Sequence, residues 1–325
     1  MTDVVALSMN PSIDLSTNID QVVPIRKLRC ASARRDPGGG GVNVARVIGR
    51  FGADVTAVYP TGGVTGQMLR RLVDREGIRS LAIDVRGETR EDFTVVEKKT
   101  GNEFRFVLPG PRLTKREWRI CLDAVAALRA RAKFLVASGS LPPGVPKNFY
   151  AKVARLAKEM KLKMVLDTAG PALEMALKEG VYLIKPNLNE LRELIGAPLK
   201  DQDAWIKAGR NLVLAKQTDV VALTLGDQGA LLITRDQAWR AQALAVKAVS
   251  RVGAGDSFLG GLIWSLVSGH DLKDAFRYGN AAGSAALLAP GTALCHWEDT
   301  ARLYRQVKVA TVWTDRSTAE RVSAK

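Results

Sequence analysis

The chain has 325 residues, 46% apolar and 25% charged, with a net charge of +15 from 48 Lys and Arg against 33 Asp and Glu. That profile fits a soluble globular protein of one large domain or two ordinary ones, with no apolar run long enough to span a membrane and no basic region before Asp3 to suggest a secretory signal. Three scattered cysteines (Cys30, Cys121, Cys295) exclude a disulfide scaffold and make a reducing cytoplasm the default, while His270 and His296, outside any zinc spacing, exclude most His-rich metal sites.

In chain order, DVVALS (3–8) reads as a buried strand. VNVARVIGRFG (42–52) reads as a helix stopped by Gly52, DVTAVYP (54–60) as a strand, and GQMLRRLVDREG (66–77) as a helix ended by Gly77. KFLVASG (133–139), KMVLDT (163–168), VYLIK (181–185) and VVALTLG (220–226) are further short apolar runs. Such runs alternating with helices predict a parallel sheet covered on both faces. Two stretches break the rhythm: residues 13–36 are polar and β-compatible, and residues 89–108 form two alternating strands around Lys99-Thr100-Gly101-Asn102. They read either as a small β-lid on the main sheet or as surface excursions. The tail beyond residue 309 is polar apart from Trp313 and reads as disordered.

The positive charge admits a nucleic-acid or membrane-surface binder, or an enzyme with anionic ligands. Acids interleave with bases, and the densest basic segments, Arg26 to Arg35 and RARAK at 129–133, form no uninterrupted tail. Neither a specific nucleic acid nor a membrane is therefore expected as a partner.

The sharpest local signal is Val252-Gly253-Ala254-Gly255-Asp256-Ser257. Two glycines permit a tight turn, and a helix starting near Asp256 would aim free amides and its positive end at an anion. A carboxylate there can take a proton from an attacking hydroxyl, although an Asp N-cap after a Gly-rich turn has the same sequence. Phe258 stands where a dinucleotide fingerprint needs its third glycine, and no P-loop motif occurs. The second signal is Asp36-Pro37-Gly38-Gly39-Gly40-Gly41-Val42-Asn43, where backbone could pack against a ligand and Asn43 could bond a polyol. A flexible loop ending in a helix is the bland alternative. Asp14 would lie on the same sheet edge. In Lys185-Pro186-Asn187-Leu188-Asn189-Glu190, Asn187 and Glu190 share a face and could hold Mg²⁺, directly or through water, or could simply open a helix with Pro at N1.

GGGGVNVAR, GSLPPG, KPNLNE, LGDQGA and VGAGDSF, in this order and at these distances, resemble the PfkB (ribokinase-like) carbohydrate kinase family over about residues 1–308. LSMNPSID, the Lys-Leu-Arg-Cys run at 27–30, FRFVLPG and GTALCHWEDT are similar to its phosphofructokinase branch, as is the four-glycine run where some relatives carry Gly-Gly-Lys-Gly. The resemblance implies one doubly wound, mostly parallel α/β domain over 1–308, with a β-lid from about 13–36 and 89–108 and a tail at 309–325. It implies ATP-dependent phosphorylation of the C1 hydroxyl of fructose 6-phosphate. The rivals are the same chemistry on tagatose 6-phosphate or fructose 1-phosphate, or a catalytically silent sugar-phosphate or nucleic-acid binder. It implies Asp256 as base and Gly253, Ala254 and Gly255 as anion hole. Asp14, Gly39, Gly40 and Asn43 would grip sugar hydroxyls, and Arg90, Ser140 and Arg105 the 6-phosphate. A homodimer joined through the lids would follow, with Lys27 bridging anionic groups across it. Lys185, Asn187, Thr224, Gly226, Gly229, Asn280 and Ser284 would line the nucleotide site, and Glu190 would be the Mg²⁺-linked acid. A potassium ion would meet Ser250, Val252, Ala286, Ala289 and Gly291, although Ala289 and Ala293 depart from the Asn and Arg usual in the branch.

Overall fold

The computed structural model describes residues 3–128 and 132–315; Arg129 and Arg131 of the basic run, and the tail from residue 316 onward, lie outside the described residues. The strands are β1 (Val4–Leu7), β2 (Ser12–Ile19), β3 (Arg34–Gly38), β4 (Val55–Thr61), β5 (Arg79–Asp84), β6 (Arg90–Glu97), β7 (Glu103–Phe106), β8 (Phe134–Ser138), β9 (Lys163–Asp167), β10 (Val181–Ile184), β11 (Thr218–Thr224), β12 (Ala230–Ile233), β13 (Gln237–Ala241) and β14 (Val309–Thr314). The helices are α1 (Gly40–Arg50), α2 (Gly63–Arg75), α3 (Lys115–Ala127), α4 (Phe149–Glu159), α5 (Gly170–Leu177), α6 (Leu188–Ile195), α7 (Gln202–Leu214), α8 (Ala254–Val267), α9 (Leu272–Ala286) and α10 (Trp297–Tyr304).

Among the described residues the main sheet has the order β14-β13-β12-β11-β10-β9-β8-β1-β4-β5. It is parallel from β11 to β5 and antiparallel from β11 to β14. Strand alternation divides the core. Val4 and Ala6 face a layer built from α1, α2, α8, α9 and α10, whereas Val5 and Leu7 face α3 to α7. Sequence order turns back beside β1, which lies between β8 and β4, so a crevice opens at the carboxyl ends of the central strands.

The two excursions form one four-stranded sheet, β3-β2-β6-β7, with β2 and β6 parallel and hairpin partners outside them. The lid expectation thus matches the strands observed. The disordered reading of the tail does not hold for residues 309–314. They pair antiparallel with β13, and the Arg210 guanidinium lies 3.6 Å from the Trp313 ring centroid. An unpaired edge strand and a cation over an aromatic face supply the partners that the short segment's own sequence does not reveal. The helix read at 66–77 begins earlier, at Gly63, and ends at Arg75.

Candidate active site

A cleft of about 700 Å³ lies between the crevice and the lid. Its body wall is built from segments that leave the central strands. Gly253 caps α8 in a left-handed conformation (φ 77°), where a side chain would also strike Leu294, and the helix starts at Ala254 rather than near Asp256. The first helical bond there runs from the Ser257 amide to the Gly253 carbonyl, so the amides of Ala254, Gly255 and Asp256 have no intrahelical acceptor. The glycine run at the start of α1 is packed rather than loose: a Cβ on Gly40 would stand 2.2 Å from Ser138 Oγ.

Asp256 faces this wall. Asn43 Nδ2 donates to Asp256 Oδ2 at 2.8 Å. Burial, and next the Asp167 carboxylate, push the Asp256 pKa up to about 6, while Asn43 and Lys185 pull it down. Lys185, only 7% exposed, lies 3.0 Å from Asp167. Burial works against its ammonium, but Asp167 outweighs burial and its pKa ends above the ordinary lysine value. Ser138 Oγ donates to the other Asp167 oxygen at 3.0 Å. Asp167 ends an apolar run and is followed by Thr168-Ala169-Gly170-Pro171, so it reads as an ordinary turn residue and nothing in its local sequence singled it out.

The lid wall carries Asp14, Arg90, Asp92 and Arg105. Asp14 and Asp92 are register partners on β2 and β6. Withdrawal from water, chiefly, and their mutual repulsion raise the Asp14 pKa. Burial also raises that of Asp92 against the pull of Arg90. The Arg90 guanidinium donates to the Leu108 carbonyl at 2.9 Å and to the Asn10 carbonyl at 3.1 Å. Asn10 Nδ2 in turn donates to Ser140 Oγ at 3.1 Å, which ties Arg90 to Ser140 through a residue that sequence reasoning missed. Asp92, Lys147 and Arg251 also line the cleft unforeseen. The period-two spacing from Arg90 along β6 was the available signal for Asp92.

Asp14, Gly39, Gly40, Asn43, Arg90, Arg105, Ser140, Lys185, Glu190, Val252, Gly253, Gly255 and Asp256 all line this cleft. Asn187 and Glu190 form a reciprocal capping box at the start of α6, each side chain accepting from the other's amide, at 2.9 and 2.8 Å. Pro186 therefore precedes the N-cap and is not N1. One Glu190 oxygen is spent in this box, and burial, foremost, raises the Glu190 pKa. Lys27 stays on an exposed lid loop outside the cleft lining. Thr224, Gly226, Gly229, Asn280 and Ser284 lie outside it as well. The Thr224 amide donates to the Pro186 carbonyl at 3.0 Å, joining that turn to Asn187, and Asn280 Nδ2 donates to the Phe276 carbonyl at 2.7 Å along α9. The Val249 amide donates to the Leu287 carbonyl at 2.7 Å, so the segments holding Ser250 and Val252 meet those holding Ala286, Ala289 and Gly291.

The profile described as pfkB family carbohydrate kinase matches residues 2–299. The chain belongs to the pfkB family. A relative named ATP-dependent 6-phosphofructokinase isozyme 2, from Mycobacterium tuberculosis, is 42% identical over 301 residues, covering 93% of this chain and 88% of the relative. Its namesake from Escherichia coli strain K12 is 37% identical over 305 residues, covering 94% and 98%. Escherichia coli phosphofructokinase-2 has been solved in complex with potassium and with fructose-6-phosphate. These structures match with TM-scores of 0.89 and 0.88, at 36% identity, over 94% of this chain and 99% of that one. The same protein has a tetrameric inhibited form. The fold is ribokinase-like: Thermotoga maritima ribokinase superposes with a TM-score of 0.75 at 20% identity.

Proposed function

We propose that this family member is an ATP-dependent 6-phosphofructokinase that transfers the γ-phosphoryl group of ATP to the C1 hydroxyl of fructose 6-phosphate. The observation that carries the reading is Asp256: a carboxylate with a pKa near 6, at the free-amide end of α8, facing the lid arginines across one cleft. Ionised above that pKa, Asp256 accepts the C1 hydroxyl proton as the oxygen attacks. The Gly253–Asp256 turn meets the negative charge on the transferring group with amides and helix dipole, so catalysis is mainly positioning and electrostatics. Asp14, Asn43, Gly39 and Gly40 hold the sugar, and Arg90 with Arg105 and Ser140 hold its 6-phosphate, for which a guanidinium offers two parallel bonds. Lys185, Asn187, Thr224, Gly226, Gly229, Asn280 and Ser284 serve the nucleotide.

Mg²⁺ would neutralise nucleotide phosphate charge. Glu190, which lines the cleft, would be the ion's protein anchor, with phosphates and water supplying the other ligands. Potassium would sit where residues 250–252 meet 286–291. Exposed Phe93 and Phe106, register partners on β6 and β7, support a homodimer joined through the lids, with Lys27 reaching a partner's cleft. The three free cysteines suit a cytoplasmic enzyme, and no helix among the described residues is long and apolar enough to cross a membrane. ADP release measured with fructose 6-phosphate, tagatose 6-phosphate and fructose 1-phosphate tests the assignment. Fructose 6-phosphate should give the highest kcat/KM, and a higher value for either rival, or turnover with none, would replace it.

A further inference from the structure

Arg46 is fully buried on α1, one turn after Asn43. Charged residues at such positions require several partners, and Arg46 has them. Its Nε and Nη2 donate to Glu76 Oε1 at 3.0 and 2.8 Å, with Asp36 3.9 Å away. The two hydrogens of its Nη1 are shared among the Pro37 carbonyl (2.9 Å), the Thr292 carbonyl (2.9 Å) and Asn43 Oδ1 (3.2 Å). Glu76 is also held by Arg50, whose Nε donates to Oε2 at 3.0 Å and Nη2 to Oε1 at 2.9 Å.

This network bears on Asp256 through Asn43. A guanidinium can only donate, so the Asn43 atom beside Arg46 is the carbonyl oxygen. The other end of the amide, Nδ2, is then the end that meets Asp256 Oδ2 at 2.8 Å, and it can only donate to an ionised carboxylate. Without Arg46 the amide could turn over and put its oxygen against Asp256, which favours the protonated, inactive acid. We propose that Arg46 is a positioning residue for phosphoryl transfer: by fixing the Asn43 amide it keeps Asp256 oriented and ionised as the base. The inference rests on the reading of Asp256 as base. The other charged groups facing Asp256 are Asp167, Lys185 and Asp14, and none of them touches Arg46. Their influence therefore persists when Arg46 is replaced.

Two variants test this. Arg46→Lys keeps the buried charge beside Glu76 but offers one ammonium where a fork reached several oxygens. Arg46→Met removes the charge and leaves Glu76 paired with Arg50. Each should lower kcat by about 10–100-fold, with KM for ATP and fructose 6-phosphate changed less than about threefold. The acid limb of the kcat profile should move up by about one pH unit, the worth of one hydrogen bond to a charged group. In an Asn43→Ala background, Arg46→Lys should add no further loss in kcat. A merely structural arginine would lower stability, leave the limb in place and add its own loss. A third readout uses the unaltered enzyme, so it survives any folding defect in the variants: the Asn43 side-chain amide protons should titrate near pH 6 by NMR, and should cease to do so in Asp256→Asn. An unmoved acid limb, additive losses or a non-titrating Asn43 amide would overturn the role of Arg46. If Asp256→Asn keeps its turnover, the failure lies instead with the base assignment.

Discussion

The two walls of the cleft are built differently. On the body wall, Asp256, Lys185, Asp167 and Ser138 leave the ends of strands and helices whose other faces are in the core, and each is held by a neighbour at about hydrogen-bond distance. On the lid wall, Asp14, Arg90, Asp92 and Arg105 project from a four-stranded sheet that exposes Phe93 and Phe106 elsewhere. In the proposed reaction the body wall would supply a pre-formed electrostatic environment for proton and phosphoryl transfer. The lid wall would recognise the sugar phosphate through its arginines. They meet where Glu103 of the lid accepts from Ser250 Oγ at 2.8 Å, three residues before the Gly253 turn.

The largest expected effect separates the walls outright. Asp256→Asn is nearly isosteric and removes the base, so kcat should fall by about 10²–10⁴-fold in a coupled assay, with ATP affinity little changed. Near-normal turnover would erase the distinction. The same variant should gain stability. Asp256 has a folded pKa of about 6 against the ordinary carboxylate value of 3.8, so the folded state keeps a proton that the unfolded chain has lost. Wild-type stability from this group therefore declines as pH rises from about 4 to about 6. At pH 7 Asp256→Asn should be more stable by up to about 3 kcal/mol in denaturant unfolding, and the difference should vanish near pH 4. A constant difference at all pH values would mean that Asp256 carries no raised pKa.

On the lid wall, Arg90→Ala should raise KM for fructose 6-phosphate by about 10–100-fold and leave KM for ATP within about twofold. Equal effects on both substrates would show that the lid does not discriminate between them. The smallest effect concerns steering. Screening shortens from about 10 Å at 0.1 M salt to about 3 Å at 1 M, so kcat/KM should drop a few-fold while kcat stays level at fixed potassium and magnesium. Tight duplex DNA binding, below about 10⁻⁶ M at physiological salt, would instead give the +15 charge a nucleic-acid purpose.

The body wall was partly legible in the sequence because its turns demand glycine. At Gly39 (φ 99°) and Gly40 a side chain has no room, and the run GGGG announces this. Asp256 was legible through the glycines before it. Asp167 was not, since a carboxylate ending a strand reads like any turn residue. Arg46 and Glu76 were not, since charges on a helix read as a solvated face until the fold buries them. The lid strands showed through their period-two pattern, but the pairing of Asp14 with Asp92 is a register between segments about eighty residues apart, which no local pattern encodes. The misread segment 309–314 becomes a strand only because β13 leaves an edge for it.

The most direct test of the account follows the transferred phosphate itself. ³¹P NMR of the purified protein with ATP, Mg²⁺ and fructose 6-phosphate should show ADP and a new C1 phosphomonoester appearing in equal amounts, giving fructose 1,6-bisphosphate. ATP cleaved to inorganic phosphate without a sugar bisphosphate, or a phosphate placed on another hydroxyl, would contradict it.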